Sequence, residues 1–158
     1  WLQSILGNKY KVHIVNSYRA SHIDSTILPL NANTVLINSV RVSKDSIPKI
    51  FKNWKKIFFS GVAEVPKSEL DFQNKIRDKA YRNLKAIGVN SYLKHISSPW
   101  AGLNVLSISP DTVLVDSRQT NLIKELERNK FTVIGIRLRH CYTMLGGLHC
   151  ATLDTVRD

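Results

Sequence analysis

The chain has 158 residues, 43% of them hydrophobic and 22% charged, with a formal net charge of +11. That length suits one domain with enough apolar residues to fill a core, and no apolar run approaches the ~20 residues of a membrane-spanning helix. Two cysteines, Cys141 and Cys150, are too few for a disulfide framework and fit a reducing compartment, which makes the cytoplasm the expected location.

Trp1-Leu-Gln-Ser-Ile-Leu reads as the end of a helix stopped by Gly7. The chain opens on Trp1 rather than Met and carries no recognisable leader, so it is expected to be part of a longer protein. YKVHIV (10–15) reads as a strand, and STILPL (25–30) and NTVLINS (33–39) read as two strands joined at Asn31-Ala32-Asn33. IPKIFKNWKK (47–56) has helical spacing, with Ile47, Ile50, Phe51 and Trp54 on one face, and IFFSGV (57–62) is a short apolar strand. Residues 67–95 form a polar, basic helix with ragged ends, closed by Gly88. LNVLSIS (103–109) and DTVLVDS (111–117) are strands around Pro110-Asp111; TNLIKELERNK (120–130) is an amphipathic helix facing inward with Leu122, Ile123 and Leu126; FTVIGI (131–136) is a strand.

This order repeats. Residues 26–39 (TILPLNANTVLINS) align with 104–117 (NVLSISPDTVLVDS), with Thr34-Val35-Leu36 on Thr112-Val113-Leu114 and Ser39 on Ser117. A helix and a strand follow each hairpin, so the unit is strand, strand, helix, strand. Units that cannot bury their own faces pack on their neighbours, so the chain is expected to be part of a closed ring of α/β modules, a partial α/β propeller. His22 precedes the first strand of one unit, and Cys150 stands where a further unit would open. Equivalent openings in a ring face a common axis, so residues distant in sequence can meet there.

The chemistry rests on SHIDST (21–26) and GGLHCATLD (146–154). In extended chain His22 and Asp24 point to one side. Imidazole suits proton transfer near neutral pH, and a carboxylate accepts paired hydrogen bonds from a guanidinium. Cys150 is open to three readings: a buried thiol, a metal ligand or a nucleophile. As a nucleophile it needs a cationic neighbour, because a free thiol ionises near pH ~8.5. For zinc, the two His-Cys pairs, His140-Cys141 and His149-Cys150, are poorly spaced, because adjacent residues in extended chain diverge. His13 and His95 read as surface or structural residues, and Trp54 and Trp100 as core. The basic stretch from Lys75 to Lys94 reads as a solvated helix face; a nucleic-acid-binding module would need its cations and aromatics on one face.

The His22-Ile23-Asp24 and Gly146-Gly147-Leu148-His149-Cys150 segments, in that order and at that distance, resemble the amidinotransferases, glycine amidinotransferase above all, in the guanidino-modifying superfamily that includes arginine deiminase. The resemblance covers roughly residues 1–66 and 96–158 and makes 1–158 the C-terminal portion of a single catalytic domain, with an insertion at 67–91 forming a lid or surface helix. It implies a pentein-type fold, a five-bladed α/β propeller of ββαβ modules. It also implies Cys150 as nucleophile on the guanidino carbon of L-arginine, His22 as acid/base, Asp24 as guanidinium contact and Arg41 as the holder of the substrate carboxylate. The amidino group would pass to glycine or a bulkier amine, releasing ornithine, with no cofactor and no metal. A deiminase-type hydrolase of the same superfamily is the alternative, and HCATLD (149–154) favours the transferases. Ser21 and Gly102 stand where the type enzyme has larger residues, which favours a bulkier acceptor. The aspartate that orients the family's histidine has no counterpart, so these 158 residues alone are expected to be inactive. Expected partners are the two small-molecule substrates and, as a candidate assembly, a homodimer; neither nucleic acid nor membrane is expected.

Overall fold

The structure, a computed structural model, describes residues 1–15, 23–61, 67–89, 103–138 and 146–153. Two three-stranded sheets form its centre. In the first module β1 (Ile27–Asn31) pairs antiparallel with β2 (Thr34–Asn38), and β2 pairs parallel with β3 (Lys55–Phe59). The second module repeats this, β4 (Leu106–Ser107) antiparallel to β5 (Thr112–Asp116) and β5 parallel to β6 (Thr132–Ile136). Parallel neighbours need a crossover rather than a tight turn. Residues 117–131 supply it in the second module through helix α3 (Thr120–Arg128).

In the first module the crossover differs from the expected helix over 47–56. Two 3-10 turns, Lys44–Ser46 and Lys49–Phe51, take its place, and β3 begins at Lys55. The pairing of Thr34 with Lys55 and Val35 with Lys56 captures the end of the expected helix for the sheet. The inward face is nevertheless the one the spacing indicates. Ile47, Phe51 and Trp54 pack on Ile27, Val35, Ile37 and Val42, with the Phe51 and Trp54 rings edge-on at 5.0 Å, while Ile50 turns to solvent.

The other face joins the modules. Leu28, Leu30, Leu36 and Ile57 from the first module share one cluster with Val113, Val115, Leu122, Leu126 and Phe131 from the second module. Strand β2 is buried along its whole length, and its centre, Val35-Leu36-Ile37, is a continuous apolar run rather than an alternation. Leu122 and Leu126 stand one helical turn apart and are both fully buried, which sets the inner face of α3.

Residues 10–15 do not form the expected strand. The side chain of Gln3 holds this stretch instead, donating to the Gly7 and Tyr10 carbonyls and accepting the Val12 N–H. The N-terminal helix α1 (Leu2–Leu6) does end at Gly7, whose φ is 60°, and His13 is exposed. Helix α2 spans Lys67–Ala86, with Phe72 and Ile76 exposed on it. Its end carries Gly88 at φ 79°, with Val89 N–H bonded to Leu84 O and Gly88 N–H to Lys85 O, the paired bonds of a Schellman motif. No described helix is long and apolar enough to cross a membrane.

Candidate functional site

Cys150 lies in a turn over 148–151, in which the Ala151 N–H bonds the Gly147 carbonyl at 3.2 Å. The turn is tied to the opening of the second module. Asn104 accepts the Cys150 N–H on its side-chain Oδ1 at 2.8 Å and the His149 N–H on its carbonyl at 3.4 Å. A Cβ on Gly146 would stand 3.1 Å from the Cys150 Cβ, so glycine is what lets the incoming chain lie this close to the turn.

The sulfur faces the opening of the first module. Cys150 Sγ donates to Asp24 Oδ2 at 3.2 Å across 126 residues of sequence. His149 Nδ1 approaches the same oxygen at 3.3 Å, an ion pair whenever the imidazole is protonated. Asp24 Oδ1 is buried and has no hydrogen-bond partner among the described residues. A buried carboxylate oxygen without a donor is costly and marks a place where a donor belongs. Asp24 itself sits in a turn, with the Ile23 carbonyl accepting both the Thr26 and Ile27 N–H groups. The extended-chain argument that set it beside His22 therefore does not apply from Ile23 onward.

Cys150 is solvent-exposed on one side, yet desolvation by the surrounding protein pushes its thiol above the ordinary value, and the hydrogen bond and charge of Asp24 push in the same direction. The Gly147 backbone and the Asn104 side chain pull the other way. The net effect favours the protonated thiol over the thiolate.

Arg41 follows β2 and turns back toward the same opening. Its Nη1 donates to Ser25 Oγ at 2.9 Å and Thr26 Oγ1 at 3.1 Å, beside Asp24 in sequence. Its pKa is lowered by desolvation, and a guanidinium remains charged. Of the four site residues expected from sequence, the structure thus brings Cys150 and Asp24 together and sets Arg41 on the two residues that follow Asp24. His22 lies outside the described residues, as do Ser21, Gly102, His95, Trp100 and the His140-Cys141 pair. Among the described residues no group of three or more His, Cys, Asp or Glu side chains could hold a metal ion. Asn104 and the Nδ1 of His149 are the neighbours of Cys150 that sequence reasoning missed. The repeat held the signal for Asn104, because its alignment sets Asn104 on Thr26 at the opening of the other module.

The profile of the family described as arginine deiminase matches residues 8–157. The chain belongs to that family. Within it, this arginine deiminase-type chain lies on the amidinotransferase side. Inosamine-phosphate amidinotransferase 1 of Streptomyces glaucescens is 37% identical over 158 residues, covering 99% of this chain and 39% of that protein. L-arginine:L-lysine amidinotransferase of Pseudomonas savastanoi pv. phaseolicola is 30% identical, covering 99% of this chain and 37% of that protein. The solved inosamine-phosphate amidinotransferase of Streptomyces griseus superposes with a TM-score of 0.78 at 35% identity, covering 99% of this chain and 39% of that one. The two sheets are thus part of the α/β propeller expected from the repeat. The chain spans about 39% of the length of the inosamine-phosphate enzymes it matches.

Proposed function

We propose that the protein moves the amidino group of L-arginine to an amine bulkier than glycine through a covalent intermediate on Cys150. The observation that carries the reading is the pair formed by Cys150 and Asp24, 3.2 Å apart, with the second Asp24 oxygen buried and unpartnered among the described residues. A guanidinium has donors for that oxygen, and its charge lowers the pKa of a thiol whose surroundings otherwise raise it. Substrate binding thereby ionises the nucleophile, and the thiol proton passes to His22, which then carries it for the leaving amine.

The thiolate attacks the guanidino carbon, and the bond from that carbon to the side-chain nitrogen of arginine breaks. His22 gives the departing amine its proton and ornithine leaves. The acceptor amine then loses a proton to His22 and attacks the amidino carbon, the carbon–sulfur bond breaks, and the thiolate is restored. Arg41 holds the substrate carboxylate. The bulkier acceptor is supported by Ser21 and Gly102, smaller than their counterparts in the type enzyme, and by relatives named for inosamine-phosphate and lysine.

The test uses the intact protein with L-arginine and a panel of amines, lysine and an aminocyclitol phosphate among them, following ornithine and citrulline. Ornithine formed only when an amine is present is the expected result. Citrulline would make the enzyme a hydrolase. Cys150→Ser is expected to lose activity by a factor of ~1000 or more; full activity in that variant would exclude the covalent route.

A further inference from the structure

We infer that Asn104 is a positioning residue that holds the Cys150 backbone with one end of its amide and receives the sulfur's negative charge with the other. This deepens the covalent reading above and rests on it. The orientation of the amide is fixed by chemistry. The Cys150 backbone N–H can only donate, so the atom that meets it at 2.8 Å is the amide oxygen. The amide nitrogen, with two donors, is then left on the other side. Asn104 is 3% exposed, and its Nδ2 is buried without an acceptor among the described residues.

A buried NH2 lacking an acceptor is a defect in a resting protein and an asset where negative charge develops. In the resting site the sulfur still carries its proton and donates it to Asp24. Once that proton leaves, the thiolate becomes the acceptor this nitrogen lacks. The 2.8 Å bond from the Cys150 N–H holds the Asn104 amide beside the residue that carries the sulfur, whereas Asp24, bonded to the sulfur itself, favours the protonated thiol. The charged or titratable groups that face the sulfur among the described residues are Asp24, directly, and His149, through the same Asp24 oxygen. Asn104 differs from both in supplying a donor without a charge, so it favours the thiolate and leaves the Asp24 carboxylate to the substrate cation.

The experiment measures iodoacetamide alkylation of Cys150 against pH in the intact protein, read on the Cys150 peptide by mass spectrometry. Wild type is compared with Asn104→Asp, which keeps the acceptor for the backbone N–H and loses the donor, and with Asn104→Ala, which removes the donor without adding charge. Donor loss is expected to move the alkylation profile up by about one pH unit in both variants, so that near neutral pH alkylation slows about tenfold. In turnover kcat is expected to fall with KM nearly unchanged. A role confined to bracing the turn predicts the opposite in the Ala variant, because a loosened turn lets water in and the thiol moves down toward its free value. A folded Asn104→Ala protein whose profile stays or moves down overturns the inference. If Ala fails to fold, an unshifted profile in Asn104→Asp does so. Arginine turnover by wild type and its loss in Cys150→Ser test the covalent reading separately, so the two failures can be told apart.

Discussion

The two modules share a topology and part ways at the residues after their second strand. Asn38 and Asp116 close those strands and do the same local work, each accepting a backbone N–H two residues on at 3.1 Å, from Val40 in one module and Arg118 in the other. The arginines that follow are used differently. Arg118 is held by both oxygens of Asp116 and by the Leu138 carbonyl, in a pair that is 9% and 3% exposed. Arg41 sits one position further on in the alignment and is held by two neutral hydroxyls beside Asp24. A carboxylate fixes a guanidinium and cancels its charge, as at Arg118, whereas a hydroxyl supplies a hydrogen bond without a charge. One scaffold thus produces an arginine tied to its own strand's carboxylate in the second module and one turned back onto the two residues after Asp24 in the first.

The largest expected effect that would break this contrast is on stability. Asp116→Ala strands a buried guanidinium and is expected to lower unfolding stability by ~3–5 kcal/mol in urea denaturation, with Arg118→Ala in the same range. A loss below 1 kcal/mol would show that the pair is not structural. Next comes Arg41→Ala, expected to reduce kcat/KM for arginine about 100-fold, or ~2.7 kcal/mol of transition-state binding, at nearly unchanged stability. Equal stability losses at Arg41 and Arg118 would erase the distinction.

The helix ends sharpen the comparison on a smaller scale. After α3 the Phe131 N–H bonds the Leu126 carbonyl and the Lys130 N–H bonds the Glu127 carbonyl, the same motif that closes α2. At α2 the left-handed residue is Gly88; at α3 it is Lys130, with φ 74°. Lys130→Gly is expected to stabilise the second module by up to ~1 kcal/mol, read as a rise in melting temperature. A fall would mean that the lysine side chain makes up for its backbone conformation.

The smallest expected effect is a linkage. The folded state holds the Cys150 proton more tightly than the unfolded state does. As pH rises past the unfolded thiol value of ~8.5, the unfolded chain releases that proton while the folded one keeps it, so stability falls until the folded pKa is passed. Melting temperatures from pH 8 to 10 should therefore decline slightly faster in wild type than in Cys150→Ala. Parallel curves would mean that the surroundings do not raise the thiol.

What was legible in the sequence follows from how each feature is encoded. The hairpins and α3 were readable because β-branched runs around turn residues and the spacing of Leu122 and Leu126 are local signals. Gly88 announced the end of α2, whereas Lys130 gave no sign of a left-handed turn, because the Schellman bonds and the burial of Leu126 and Phe131 fix that conformation. Pairing with β2 overrode the helical pattern at 47–56, a tertiary effect that no local window contains. The repeat set the module openings at His22 and Cys150 toward a common axis, and Asp24, two residues past His22, is the residue of that opening seen against Cys150. The two tasks of the Asn104 amide could not be read in this way, since they depend on which atom meets the Cys150 N–H.

The bond from Cys150 to Asp24 has a consequence for the order in which the molecule assembles. It closes 126 residues of chain, and the bond from Cys150 to Asn104 closes 46. The turn joining β1 to β2, by contrast, spans only Ala32 and Asn33. Short loops close first, and distant pairings wait for the entropy of the intervening chain to be overcome. During refolding Cys150 should therefore react as an ordinary thiol while both hairpins are already forming, and acquire its raised pKa last. A pulse of alkylating agent at successive refolding times would see this as a late loss of reactivity, the moment at which three separate stretches of chain become one site.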